Sequence, residues 1–486
     1  MASRGERLDR LAAVVSGRLV GDGGVRVVDV THDSREAGQG SLFVAIRGFR
    51  TDGHRFVDEA VGAGSPAVVV DRDVDVAVPR IVVADTRRAL GPLAAEVHGR
   101  PSERLAVVGV TGTNGKTTVT HMLEAIASGT GHLPGMIGTI QARVGGKVIP
   151  SVRTTPEASD LQRMLAEMAR RGADVVAMEV SSHALALGRV DATGFAVAAF
   201  TNLGRDHLDF HGDVERYFAA KRELFRPDRT RTAVIWTDDP FGARLAAEVS
   251  TPTITVGLTA DADVGGRIVE TSLAGSLVTV TYRGRTVQVG VPLPGRFNVA
   301  NGLVALGCAV ALGWDLAEAA EALADAPPVP GRFELVDVDG AAGVVVDYAH
   351  TPDAIAAAIS TARRLVTGRV IVVFGAGGDR DREKRPLMGA ASAAADVTIV
   401  TSDNPRTEDP GAIIDEVMAG VPDEAEVVRE VDRERAIGIA LELAGPSDLV
   451  LVLGKGHEQG QEVGDRVIPF DDRAVVRRLA QRGVRS

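Results

Sequence analysis

The sequence predicts an α/β protein of three domains, the central one built on a mainly parallel sheet. Three observations carry that expectation. At 486 residues the chain is longer than one hydrophobic core usually supports. Short Val-rich runs alternate with Ala-rich helical stretches along almost the whole length, the pattern of successive βαβ units. Two breaks rich in Pro and Gly, HGRPSER and APPVPGRFE, divide the chain.

Residues 1–100 form the first expected domain. Its runs SLFVAI, PAVVV and RIVVA, separated by Gly, Asp and Pro, read as strands of a small α/β unit. Residues 101–331 form the second. LAVVGV has the length and β-branched content of a buried parallel strand, and DVVAMEV, VAAFTNL and AVIWT follow it with helical stretches between. Residues 332–486 form the third, where GVVVDYAH, RVIVVFGAGG, DVTIVTSDNP and DLVLVLGKG alternate with Ala-rich stretches. No repeat at solenoid spacing is present.

Composition narrows the function classes. Apolar residues make up 45% and charged residues 24%, ordinary values for a folded globular chain. A formal net charge of −11 repels polyanions, so nucleic acid is not an expected partner and an anionic ligand needs a local basic site. The single cysteine, Cys308, lies within the apolar run GLVALGCAVAL and is expected to be a buried structural thiol. The N-terminus is charged, and no uncharged apolar stretch reaches the roughly 18 residues of a membrane helix, so a cytoplasmic protein without membrane insertion is expected.

The run VTGTNGKTTVTHMLEAI sets a Gly-rich turn between an expected strand and an amphipathic helix. Gly112 and Gly115 permit tight turns and close approach of backbone N–H groups to phosphate. Lys116 can reach terminal phosphates, and Thr117 can bind magnesium. The strict P-loop pattern would place a glycine at Val110, so this loop is a variant. No Asn-Lys-x-Asp segment is present, which argues against guanine recognition. Glu179 closes the run DVVAMEV, where a carboxylate suits magnesium and a solvated strand-end Glu is the plainer alternative. GRDHLDFHG gathers Asp206, His207, Asp209 and His211. Its spacing leaves magnesium, zinc and an ordinary capping Asp all open.

Taken in order, THDSR, TGTNGKTT, TTPE, MEVSSHAL, TNLGRDHLDFHG, YFAAKRELF, GRFNVANGL, PGRFE, VDYAHTPD, GAGGDRDREKRPLMG, SDNPR and GKGHE resemble the Mur ligase superfamily over nearly the whole chain. The resemblance implies an N-terminal domain for a uridine nucleotide, a central P-loop ATPase domain and a Rossmann-like C-terminal domain for the incoming amino acid. The implied activity is ATP-dependent addition of 2,6-diaminopimelate to the γ-carboxyl of UDP-N-acetylmuramoyl-L-alanyl-D-glutamate through an acyl phosphate, in peptidoglycan precursor synthesis. The implied cofactors are ATP, Mg2+ and a carbamate on Lys221. The implied partners are those small molecules alone, with the chain a monomer.

By motif, the resemblance implies that Gly112, Thr113, Asn114, Gly115, Lys116, Thr117 and Thr118, with Asn298, Asn301, Arg332 and Asp347, contact ATP. It places Lys116, Glu179, His207 and Lys221 in catalysis, and Thr117, Glu179, His207 and carbamylated Lys221 on magnesium. His32, Ser34, Phe49, Arg50, Thr51, Thr154, Thr155, Ser181 and Arg189 would meet the UDP substrate. At Leu187 relatives often carry Gln, and no role is assigned there. Arg380, Asp403, Asn404, Pro405, Arg406, Gly454 and Glu458 would hold diaminopimelate, an Arg fork matching a carboxylate bidentately. His350 and Asp353 are candidates near the nucleotide. A lysine-adding or folylpolyglutamate-type ligase is the first alternative, against which SDNPR and THDSR argue. A catalytically silent nucleotide-binding relative is the second, and intact Lys116, Glu179 and His207 count against it.

Overall fold

A computed structural model describes residues 5–49, 51–149, 153–336, 338 and 343–483. Three main sheets succeed one another along the chain. In the first, four parallel strands run Asp29–Thr31, Ser41–Val44, Ala67–Val70 and Arg80–Val82, with Arg18–Val20 antiparallel on the edge. Apolar clusters cover both faces, one beneath the helices Leu8–Val14 and Thr86–Val97 and the other beneath Val57–Gly62.

The second sheet has eleven strands. Its parallel core runs Pro134–Ile137, Val175–Glu179, Ala106–Thr111, Phe195–Phe200, Thr230–Trp236 and Thr253–Gly257 in spatial order. Most of these residues are buried on both faces, which is why their sequences are continuous Val, Ala and Ile runs. The sheet is mixed: an antiparallel meander, Val264–Ser272, Gly275–Tyr282 and Arg285–Val291, extends one end, and the hairpin Ala142–Val144 with Lys147–Ile149 extends the other. Cys308 is buried in the helix Arg296–Ala311, packed among Val, Leu and Ala of the larger central core.

The third sheet orders Glu334–Val336, Gly343–Asp347, Leu449–Leu453, Val370–Phe374, Val397–Val400 and Val427–Arg429, parallel except for the first. Asp side chains start many of the helices: Asp239, Asp315, Asp409 and Asp432 each accept backbone N–H groups of the first turn. No helix among the described residues is long and apolar enough to cross a membrane.

The order of the central strands positions the site. The chain leaves Ala106–Thr111, returns to one side of it at Val175–Glu179, then crosses to the other side at Phe195–Phe200. The carboxyl ends of these three strands therefore flank a crevice where the winding reverses, the usual ligand position in open α/β sheets.

Candidate active site

Ala106–Thr111 ends in the Gly-rich loop, and the helix Lys116–Gly129 begins directly after it. Two glycines are dictated by space. A Cβ at Gly112 would lie 1.9 Å from Thr201 Oγ1, and one at Gly115, where φ is +89°, would lie 2.3 Å from Asn301 Oδ1. The loop is tied to the neighbouring strand end: Thr201 Oγ1 donates to Asn114 O at 2.6 Å, and Asn114 N donates to Asn202 Oδ1 at 3.0 Å. Thr113 Oγ1 meets Tyr217 Oη at 3.2 Å, and Thr118 is buried in the first helical turn. Lys116 Nζ folds back to donate to Gly112 O and Thr113 O, both at 2.8 Å.

Around this loop the structure gathers Glu179, Asp206, His207 and Lys221. Glu179 is 1% exposed rather than a solvated strand end. Its carboxylate accepts from Thr139 N at 2.7 Å and from Thr139 Oγ1 at 3.0 Å. Lys221, on the helix Val214–Arg222, is also 1% exposed; its Nζ donates to Gly112 O at 2.7 Å and lies 4.4 Å from the centre of the Tyr217 ring. Burial, reinforced by the Lys116 charge, pushes the Lys221 amine far below the ordinary lysine range. Burial also lowers Lys116, against the pull of Glu179 and Asp206.

His207 takes the left-handed backbone conformation, φ +56°, with Nε2 3.4 Å from Asp206 Oδ2. Desolvation lowers its imidazole from the ordinary histidine range, although 45% of the side chain stays exposed. Burial alone would raise Asp206, but His207, His350, Lys384 and Lys116 outweigh it and hold the carboxyl to about 2. The aromatic side chains His183, Phe210 and Tyr217 close over His207 and His211, and His211 Nε2 pairs with Ser182 Oγ at 2.9 Å. Asp209 sits beside His207 in the first turn of Leu208–His211. Among the described residues no three His, Cys, Asp or Glu side chains converge closely enough to cage a metal by themselves.

Two further segments reach this crevice. In the helix Arg296–Ala311, Asn298 lies in the first turn rather than capping it, donating to Pro294 O at 2.9 Å, and Asn301 stands against Gly115. The linker between the second and third sheets brings Arg332, whose Nη2 donates to Thr117 Oγ1 at 3.0 Å and whose guanidinium lies over the Tyr348 ring at 4.5 Å. Asp347 fixes that linker by accepting from Phe333 N at 2.6 Å and Ala349 N at 2.8 Å. Gly331 packs so tightly on the GKGHE loop that a Cβ would come within 2.1 Å of His457 N. His350 Nε2 lies 4.0 Å from Asp206, and Asp353 abuts Gly204.

In the third domain, Arg380, Asn404 and Arg406 all border Gly377. Arg406, also at positive φ, pairs with Glu462 at 2.6 Å and donates to Gly378 O at 2.8 Å. Pro405 packs on Gly378, and a Cβ at Gly454 would lie 2.5 Å from Asp403 Oδ2. Burial raises the Asp403 carboxyl. Asn404 Nδ2 donates to Glu458 Oε2 at 2.8 Å. These residues cluster around Gly377, Gly378 and Gly454, just past the carboxyl ends of Val370–Phe374, Val397–Val400 and Leu449–Leu453.

The residues assigned to the UDP substrate fall into two groups. Thr154, Thr155, Ser181 and Arg189 adjoin Glu179: Thr154 Oγ1 is 3.0 Å from Thr139 Oγ1, Thr155 Oγ1 donates to Glu179 O at 2.9 Å, and Arg189 Nη1 donates to Thr155 O at 3.3 Å. His32 and Ser34 lie on the first domain, where His32 Nδ1 meets Ser159 Oγ at 3.2 Å and Ser34 Oγ donates to Glu59 at 3.3 Å. Phe49 is 80% exposed and meets Phe210 edge-on, while Thr51 O accepts from Gly48 N; Arg50 lies outside the described residues. Leu187 only ends the helix Ser182–Ala186.

Several residues at the site escaped the sequence reading. Lys384, 8% exposed and one of the charges acting on Asp206, sits in DREKR, which reads as a solvated charge run. Glu157, the last residue of TTPE, gathers Arg87, Arg153 and Arg189 around one carboxylate. Lys455 is fully buried within GKGHE.

A Gly-rich phosphate loop at the switch point of a three-sheet α/β chain defines a nucleotide-using enzyme. Residues 110–309 match the Mur ligase middle domain, 331–456 the Mur ligase glutamate ligase domain, and 26–98 the Mur ligase family catalytic domain. The chain belongs to the Mur ligase family. Among curated relatives, the UDP-N-acetylmuramoyl-L-alanyl-D-glutamate–2,6-diaminopimelate ligase of Geobacillus thermodenitrificans is 46% identical over 460 residues, covering 93% of this chain and 94% of that protein. The protein of the same name from Streptomyces coelicolor is 45% identical over 470 residues, covering 94% and 93%. A solved structure of a ligase of that name superposes with a TM-score of 0.72 at 31% identity, covering 99% of this chain and 100% of that one.

Proposed function

We propose that this chain is the cytoplasmic ligase that joins 2,6-diaminopimelate to the γ-carboxyl of UDP-N-acetylmuramoyl-L-alanyl-D-glutamate in peptidoglycan precursor synthesis, consuming ATP. The observation that carries the reading is the linker that ties the phosphate loop to the third domain: Arg332 Nη2 donates to Thr117 Oγ1 at 3.0 Å and Gly331 packs on the GKGHE loop, whose Glu458 accepts from Asn404. The similarity at 46% identity over nearly the full length of a protein of that name supports the same substrate.

A carboxylate and an amine do not condense in water without activation. The γ-carboxylate attacks the terminal phosphorus of ATP, and ADP leaves. The amine of diaminopimelate then attacks the acyl carbon, and phosphate departs as the amide forms and the amine sheds its proton. Lys116 and the amides at the helix N-terminus stabilise charge on the transferring phosphoryl group. Asn298 and Asn301 border the adenosine, with Arg332 and Asp347 at the linker. Thr154, Thr155, Ser181 and Arg189 orient the dipeptide end of the UDP substrate, and His32, Ser34 and the 49–51 loop its uridine end. Holding the partners in a shared, water-poor crevice favours aminolysis over hydrolysis of the acyl phosphate.

Magnesium fits the donor set. Thr117 and Glu179 offer oxygen donors and His207 an imidazole, with Asp206 Oδ2 3.4 Å from His207 Nε2, and these would hold the ion. When bound, the ion neutralises phosphate charge. Burial lowers the Lys221 amine and so favours the unprotonated form that combines with carbon dioxide; the resulting carbamate would add a carboxylate-like oxygen where carboxyl donors are few. Arg380 and Arg406 select the distal carboxylate, with Asp403, Pro405 and Gly454 shaping the pocket and Glu458 facing the distal ammonium.

Phosphate release tests the reading. With ATP and the UDP-muramoyl dipeptide present, diaminopimelate should drive release and lysine should not; the meso and LL isomers are assayed separately. Release with lysine and neither diaminopimelate isomer sinks the assignment.

A further inference from the structure

Lys455 lies between the two residues expected to meet the far end of diaminopimelate, yet it takes no part in the reading above. Its side chain is fully buried. Nζ donates to Asn404 Oδ1 at 3.0 Å and to Glu458 Oε2 at 2.9 Å. We propose that Lys455 is a positioning residue for the amino-acid substrate, acting through Asn404 and Glu458 without touching the ligand; this rests on the diaminopimelate reading of the pocket.

The geometry supplies the reason. A carboxamide presents an acceptor on one side and two donors on the other, and only its partners decide which way it faces. Lys455 can only donate, and so can the backbone N–H of Glu462, which also points at Asn404 Oδ1 at 3.0 Å. Two donors meeting one atom fix it as oxygen. The Asn404 amide nitrogen must then face Glu458, and it does, donating to Oε2 at 2.8 Å.

Glu458 is fixed by the same arrangement. Its Oε2 receives both Lys455 and Asn404, so its second oxygen is left to accept from a substrate ammonium. The side chain of Glu458 is 30% exposed while that of Lys455 is 0% exposed, so an arriving ligand reaches the carboxylate and not the lysine. Other charges also bear on the pocket. Arg433, itself fully buried and paired with Asp472 at 2.7 Å, donates to Leu453 O just before Gly454. Arg406 is paired with Glu462. Lys455 is the cation placed directly on the Asn404–Glu458 pair, and removing it leaves a buried amide acceptor short of one donor and Glu458 without its counter-charge.

The test uses the full chain with ATP and the UDP-muramoyl dipeptide at saturation. Lys455→Met should raise the KM for diaminopimelate by about tenfold or more, the equivalent of one lost charge-assisted contact, while the KM values for ATP and the UDP substrate move far less. In a Glu458→Gln background the same substitution should have a much smaller effect, because the residue it acts through is already altered. An unchanged KM for diaminopimelate in folded Lys455→Met, or an equal rise in all three KM values, overturns the proposal. Arg406→Ala and Glu458→Gln separate the two levels. If both leave the diaminopimelate KM unchanged, the reading of the pocket fails; if both raise it and Lys455→Met does not, only the role of Lys455 fails. Should Lys455→Met not fold, a crystal structure of the unaltered protein with diaminopimelate decides. Lys455 still on Asn404 and Glu458, with the ligand ammonium on Glu458, supports the role, and Lys455 bound to the ligand or released from either partner overturns it.

Discussion

A lysine amine kept from water gives up its proton more readily than one in solvent, and Lys221 has a second cause acting the same way, the neighbouring Lys116 ammonium. Its environment distinguishes it from the solvated lysine that an amphipathic helix usually displays, and nothing in YFAAKRELF reveals that burial. The partners that create it, Tyr217 and Gly112 O, are brought together by the fold: Tyr217 lies one turn back on the same helix, while Gly112 is more than 100 residues away. Glu179 is a similar case, since a carboxylate at a strand end is solvated unless a loop such as 138–139 closes over it. If Lys221 carries a carbamate that serves the phosphoryl transfer, Lys221→Met should lower kcat by about a hundredfold, the scale of removing one preorganised electrostatic group. Steady-state rates with and without added bicarbonate, and a carbamate carbon signal from 13C-labelled carbon dioxide lost in the variant, check both halves of the claim.

Among elements, the strands were the most legible. Runs such as LAVVGV and RVIVVF are buried on both faces, so their apolar character is continuous, and each lies where the sequence reading put it. The meander Val264–Val291 was not read, although VTVTY-RG-RTVQV alternates with period two around a turn at Arg283 and Gly284, both at positive φ. Its strands are half exposed and carry Arg, Glu and Thr, so a search for Val-rich runs passes over them. Side-chain braces between elements were also invisible. The helix Lys384–Ser392 is anchored by Arg385, 0% exposed, whose guanidinium donates to Glu408 at 2.8 and 2.9 Å and to Glu416 at 2.7 Å. The hydrogen bonds from Arg385 hold Glu408 well below the usual carboxylate range, at about 2. Because the folded state binds the proton more weakly than the unfolded chain, this contribution is complete above pH of about 4.5 and is lost as pH falls through about 2. Glu408→Gln should cost about 2 kcal/mol, less than a wholly dry pair because Glu408 keeps some solvent contact. Unfolding midpoints measured from pH 6 down to pH 3 should show the variant losing less stability on acidification than the parent.

Among the described residues the three sheets hold separate apolar cores, two in each domain, one on either face. Domains built on separate sheets and cores unfold as separate units, so calorimetry should give a total enthalpy larger than the van't Hoff value of any single transition. A non-hydrolysable ATP analogue with magnesium at about a hundred times its Kd should raise the transition of the central domain by an amount equivalent to about 2.7 kcal/mol, leaving the first domain nearly unmoved. A single two-state transition that ignores the analogue would contradict both the division and the nucleotide site. The three-domain α/β architecture was legible, since strand runs alternating with helical stretches show up in the sequence. The residues that cross the divisions, Arg332 and Lys384 among them, were legible only through resemblance or not at all, because their partners lie on other domains.

The short linker at Gly331 and Arg332 touches both the helix after the phosphate loop and the GKGHE loop of the third domain. Arg332 holds the Thr117 hydroxyl beside the phosphate loop, and one residue earlier Gly331 sits flush on the backbone of the segment that carries Gly454, Lys455 and Glu458. Should nucleotide and amino acid each favour a different placement of this linker, their binding would be coupled. Whatever factor nucleotide applies to the affinity for the amino acid, the amino acid must return to the nucleotide, and a side chain introduced at position 331 should change the size of that shared factor even where each pocket is left intact.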